Sequence, residues 1–160
     1  MGKPQKVSPC LWFDDRAEEA ARFYTALFEN SEITHISRYG PGAALPEGTA
    51  MMVAFTLGGT EFSALNGGPV FTPNEAVSFI VGCADQGEID RLWAGLLAGG
   101  GTESRCGWLK DRFGFSWQIV PNILAGLMTG DSLAAQRTMA ALMGMVKLDI
   151  AALEAAHRGP

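Results

Sequence analysis

The chain has 160 residues, 48% of them hydrophobic and 18% charged, with a formal net charge of −5. That apolar share can build a sizeable core and excludes a disordered chain, while twelve scattered Lys and Arg against seventeen Asp and Glu exclude the basic stripe of a nucleic-acid binder. No apolar run reaches the roughly 18–20 residues of a membrane span, and three cysteines without C-x-x-C spacing, after a short polar start, predict a reduced, cytoplasmic protein.

In chain order, 7–13 reads as a strand, with Val7, Pro9, Leu11 and Phe13 on one face and Ser8, Cys10 and Trp12 on the other. Asp14 and Asp15 stand where a helix N-cap is wanted, Glu18 and Glu19 suit the positive end of that helix, and the helix runs to about Glu29. Strands follow at 33–39, 51–57 and 61–66, with a Pro/Gly loop at 40–48 and a hairpin turn at Gly58-Gly59. After a linker at 67–74 the order restarts. A strand at 76–83 leads through the N-cap Asp85 to a helix at 86–98, stopped by Gly99-Gly100-Gly101. Strands at 102–106, 107–110 and 115–120 complete the set, with a turn at 111–114 and Pro121 as the stop. In the tail, Gly130-Asp131-Ser132 breaks a short helix and caps a long one. Met139, Leu142, Met143, Val146, Ile150 and Leu153 continue a helical stripe, with a bend at Lys147-Leu148-Asp149. The tail is expected to cover a sheet edge or a partner subunit.

The two helices repeat one pattern. Ala20, Phe23, Tyr24, Leu27 and Phe28 recur 69 residues later as Ile89, Leu92, Trp93, Leu96 and Leu97, with Arg22 matching Arg91 and Asn30 matching Gly99. The chain therefore reads as a single α+β domain over 1–160, built from two β-α-β-β-β modules (5–67 and 75–121) with C-terminal helices at 122–158.

Several runs resemble a known family. Pro9-Cys10-Leu11-Trp12-Phe13, Ala20-Ala21-Arg22-Phe23-Tyr24, Ala64-Leu65-Asn66-Gly67-Gly68-Pro69, the run from Cys106 to Gly114, and Trp117-Gln118-Ile119-Val120-Pro121 are similar to the PhnB-like family. That family carries the name 3-demethylubiquinone 3-methyltransferase-like. It is a branch of the vicinal oxygen chelate superfamily, with glyoxalases, bleomycin-resistance proteins and extradiol dioxygenases. The tail run Lys147-Leu148-Asp149-Ile150-Ala151 resembles it too. The resemblance implies the paired-module fold and a cleft on the curved sheet. It also implies a divalent metal, held by His and Glu from the first and last strand of each module.

Strand alternation tests that last implication. Phe115, Trp117 and Ile119 form the bulky face of the last strand, so Ser116, Gln118 and Val120 face the cleft. Aligning Gly59 with Gly114 sets Ser63 opposite Gln118, with Glu61 and Leu65 on the same face. The expected ligand positions are then Ser8, Ser63, Ser78 and Gln118, which are neutral hydroxyls and an amide. Of the two histidines, His35 lies in the second strand and His157 near the end, and neither takes a ligand position. No metal, no cofactor and no catalytic residue is assigned.

The cleft is expected to be lined by Ser8, Trp12, Glu61, Ser63, Ser78, Trp108 and Gln118. Glu61 either acts as a general base beside Trp12 or reaches water at its strand start, and the second reading is preferred. Lys110, Asp111 and Arg112 read as a solvated hairpin, with orientation of an anionic ligand by Asp111 and Arg112 as the alternative. Trp93 and Trp117 read as core. The leading reading is a metal-independent small-molecule-binding protein, homodimeric, with an unidentified small-molecule partner and neither nucleic acid nor membrane. The alternatives are a metal-dependent lyase, isomerase or dioxygenase with atypical ligands, and a structural dimer whose cleft is filled by its own side chains. Methyl transfer is not expected, because no glycine-rich turn follows a strand in a parallel α/β pattern.

Overall fold

The computed structural model describes residues 5–130 and 132–160. They fall into two units divided after Pro73. Unit one contains β1 (Cys10–Phe13), α1 (Ala17–Leu27), β2 (Glu32–Arg38), β3 (Ala50–Leu57) and β4 (Thr60–Asn66). Its sheet has the order β1-β4-β3-β2, with β1 parallel to β4 and the other pairs antiparallel. Leu11, Phe13, Val53, Phe55, Phe62 and Ala64 are buried on one side of this sheet, together with Ala17, Ala20, Ala21 and Tyr24 of α1. The Tyr24 and Phe55 rings stack at 6.4 Å. Small alanines on the helix let it lie close to the sheet, and the aromatics fill the remaining depth.

Two expectations for this unit need correction. The first strand starts at Cys10 rather than at 7. Pro9 still accepts from the Ser63 N–H at 3.0 Å. Beyond it, the Gln5 side chain replaces the strand, since its Oε1 accepts from the Glu61 N–H (2.9 Å) and its Nε2 donates to the Glu61 carbonyl (3.1 Å). The amide thus satisfies the edge of β4 as one more strand residue would. The second correction concerns the start of α1. Its N-cap is Arg16, with no capping side chain, and neither Asp14 nor Asp15 serves. Instead the Ala17 N–H donates to Asn66 Oδ1 at 2.8 Å, while Asn66 Nδ2 donates to the Ala50 carbonyl. A buried amide 49 residues downstream caps the helix, and no local signal announces it. At the far end, α1 stops at Leu27, and Asn30 takes φ +49°.

Unit two repeats the plan with β5 (Ser78–Cys83), α2 (Gln86–Leu97), β6 (Thr102–Glu103), β7 (Trp108–Lys110) and β8 (Ser116–Pro121). The order is β5-β8-β7-β6, with β5 parallel to β8. The expected N-cap is present, since Asp85 accepts from the Glu88 N–H. Ile89, Leu92, Trp93 and Leu96 are buried on α2, and Leu109, Trp117 and Ile119 on the sheet. Gly99, at the position matching Asn30, has φ +82°. The strand expected to reach residue 106 ends at Glu103, because the chain turns. The Ser104 N–H donates to the Trp108 carbonyl, and Cys106 and Gly107 take φ +58° and +81°. The hairpin at 111–114 is also corrected. Asp111 is 3% exposed, and accepts from the Phe113 and Phe115 N–H groups and from Trp117 Nε1 at 2.8 Å. It is an internal anchor rather than a solvated turn residue.

The tail forms α3 (Leu124–Leu127), α4 (Ser132–Met143) and α5 (Ile150–Arg158). The expected cap at Asp131 lies outside the described residues. Of the expected stripe, only Leu153 is buried, and Leu142 and Ile150 are half-buried. Met139, Met143 and Val146 are exposed, whereas Ala134, Thr138, Leu148 and Leu153 are buried. The cause is the extended stretch between α4 and α5, which breaks the helical phase. Met145 and Val146 carbonyls accept from the Cys106 and Gly107 N–H groups (both 2.8 Å). Gln86 donates to the Leu148 carbonyl and accepts from the Ile150 N–H. Among the described residues, no helix is long and apolar enough to cross a membrane.

Candidate functional site

Each sheet has a face turned away from its helix, and the expected site residues lie mostly on these faces. In unit one, parallel pairing sets Cys10 opposite Ser63 and Trp12 opposite Leu65. Ser8 precedes β1 and is exposed, so Cys10 rather than Ser8 stands beside Ser63. Burial pushes the Cys10 thiol pKa up, which favours the neutral form. Glu61 is exposed, at the start of β4. Trp12 is held by its own chain. Its Nε1 donates to the Gly68 carbonyl at 2.9 Å, its ring meets Phe71 edge-on at 4.9 Å, and it crosses Gly67 so closely that a Cβ there would sit 2.2 Å from the ring. Only glycine admits that approach.

In unit two, the registers of β6, β7, β8 and β5 bring together two cross-sheet rows. One row is Thr102, Lys110, Ser116 and Ser78; the next is Trp108, Gln118 and Ile80. Gln118 Nε2 donates to Ser78 Oγ at 2.9 Å, which links the rows. Trp108, whose face the sequence left open, is therefore opposite Gln118. A cavity of about 260 Å³ opens here, lined by Glu75, Thr102, Ser104, Trp108, Lys110 and Ser116 among others. Lys110 pairs with Glu75, and its ammonium holds the Glu75 carboxyl below the usual range. Sequence reasoning missed Glu75, Thr102 and Lys110 as a group. Ser116 was on the correct face, but only the β7–β8 register reveals its neighbours.

The donor set does not fit a divalent metal. The four strand positions offer Ser63 and, beside it, the Cys10 thiol in unit one, and Ser78 with Gln118 in unit two. Among the described residues no three of His, Cys, Asp and Glu cluster to hold an ion. One thiol, two hydroxyls and an amide lack the imidazoles and carboxylates that hold zinc, manganese or iron in an open catalytic site.

A family model described as 3-demethylubiquinone-9 3-methyltransferase matches residues 5–120. The chain belongs to this PhnB-like family. It is thereby a member of the vicinal oxygen chelate superfamily. The PhnB protein from Bacillus cereus, which bears the same methyltransferase name, is 38% identical, with a TM-score of 0.68; the match covers 73% of this chain and 99% of that one. Protein PA1353 from Pseudomonas aeruginosa shares the fold at 20% identity and a TM-score of 0.61, covering 73% of this chain and 97% of that one. No curated protein matches. The family match ends at residue 120, so the tail run 147–151 lies beyond it.

Proposed function

We propose that this member of the superfamily binds a small molecule without a metal, as a homodimer in the cytoplasm. The observation that carries the reading is the chemistry of the four strand positions, where a thiol, two hydroxyls and an amide stand in place of His and Glu. The Ser78–Gln118 bond gives an orienting polar pair beside the Trp108 ring, the usual make-up of a small-ligand site. Three free cysteines agree with a reducing compartment. The exposed apolar residues of α4, Leu133, Met139 and Met143, support self-association. Methyl transfer is disfavoured despite the family's name. Both sheets are mixed, and neither pairs a parallel strand with a glycine-rich strand-to-helix turn able to hold S-adenosylmethionine.

Elemental analysis of the purified protein tests this. Zinc, nickel, manganese and iron are expected well below one per chain after buffer exchange. A near-stoichiometric metal would overturn the reading in favour of a lyase, isomerase or dioxygenase with unusual ligands.

A further inference from the structure

The cavity in unit two carries a more specific chemistry than its shape alone. Its lining includes the cross-sheet row Thr102, Lys110 and Ser116, a row that Ser78 of β5 continues beyond the cavity. Ser116 is 2% exposed and lines the cavity, and its hydroxyl has no hydrogen-bond partner among the described residues. That hydroxyl borders the cavity and is placed to donate to an acceptor that enters it. Two glutamates line the cavity: Glu103, whose Oε1 accepts from Trp93 Nε1 at 2.9 Å, and Glu75, which pairs with Lys110. Glu75 and Lys110 are 61% and 39% exposed, so their pairing is weak and exchangeable. Trp108 supplies an apolar wall on the neighbouring row.

We propose that this cavity binds a small aromatic carboxylate, which takes the place of Glu75 on Lys110. One ligand oxygen accepts from the Lys110 ammonium and another from the Ser116 hydroxyl, and the ring lies against Trp108. Glu75 is the built-in competitor. At about 260 Å³ the cavity suits a single-ring ligand better than a drug-sized one. This inference rests on the small-molecule reading above, and narrows it to a chemical class and a set of side chains.

Calorimetric titration with benzoate and with its neutral analogue benzamide, on chelator-washed protein, tests it. Benzoate is expected to bind more tightly than benzamide. Glu75→Gln should tighten benzoate about two- to fivefold, the range open to loss of an exposed competing ion pair, and leave benzamide unchanged. Lys110→Met should remove the preference for benzoate while benzamide binding persists, and Lys110→Arg should restore part of it. Ser116→Ala should weaken benzoate about fivefold. Equal binding of the two probes would overturn the anion site and leave the small-molecule reading standing. Binding of neither at millimolar concentration, or benzoate binding unchanged in Lys110→Met, would also overturn it. A bound stoichiometric metal would instead overturn the functional reading, whatever Lys110 does.

Discussion

Asp111 shows how much one side chain can organise. It gathers two backbone N–H groups and an indole N–H from the residues that follow it, the furthest being Trp117. Asp111→Ala strands three donors in a buried place, and is expected to cost about 3 kcal/mol, read by urea denaturation. Asp111→Asn keeps one accepting oxygen and should lose less. A loss below about 1 kcal/mol for the alanine variant would show the anchor to be dispensable. The sequence hid this role because an aspartate in Lys110-Asp111-Arg112 looks like part of a charged turn. Its decisive partner, Trp117, is a β8 residue that alternation had already assigned to the core. Trp12 and Asn66 were hidden in a similar way, the first by a glycine that admits its ring and the second by a helix start 49 residues away. The cysteines give a second expectation at this scale. Cys83 is fully buried, and burial raises its pKa to about 11. At pH 8 its thiolate is on the order of one part in a thousand, so iodoacetamide should label Cys10 and Cys106 and spare Cys83 until the protein is unfolded. Labelling of Cys83 at a comparable rate under native conditions would contradict that burial.

Among the elements, the extended stretch between α4 and α5 is the least readable from sequence and the most consequential for the tail. A continuous apolar period ran through it, yet the chain leaves the helix to exchange backbone hydrogen bonds with the Cys106-Gly107 turn and the Gln86 side chain. Lys147 reaches Asp90 at 2.5 Å, and Leu148 is fully buried against Gly107, where an added Cβ would meet Leu148 carbons at 3.0 Å. Leu148→Ala is expected to cost about 2–5 kcal/mol and to raise hydrogen exchange through α4 and α5. Unchanged exchange there would mean that the two helices hold without this anchor. By contrast α1 and α2, β3 and β4 were legible, because their apolar periods and turn residues agree. Strands β1 and β6 were expected too long, since a side chain (Gln5) and a pair of left-handed residues (Cys106 and Gly107) end their ladders, and neither signal lies in strand propensity.

At the scale of the whole molecule, the duplication is preserved in order, pairing and helix ends. Both sheets place a parallel pair between their first and last strands, and the residues ending α1 and α2 lead to matching left-handed positions. The faces away from the helices are where the copies diverge, with Trp12 sealed by its own glycines and Trp108 left beside a cavity. The exposed apolar face of α4 gives the expectation for assembly. Light scattering should report a dimer, and Leu133→Glu with Met143→Glu should shift it toward monomer without loss of helicity. A monomeric parent protein would remove the dimer from the proposal. The parallel pairs have a further consequence, in time rather than in space. Cys10 cannot meet Ser63, nor Ser78 meet Ser116, until the intervening helix and hairpin exist. During synthesis each first strand therefore waits, unpaired, for the last strand of its own copy. The first copy has all its strands once Asn66 has emerged, before any strand of the second has been made.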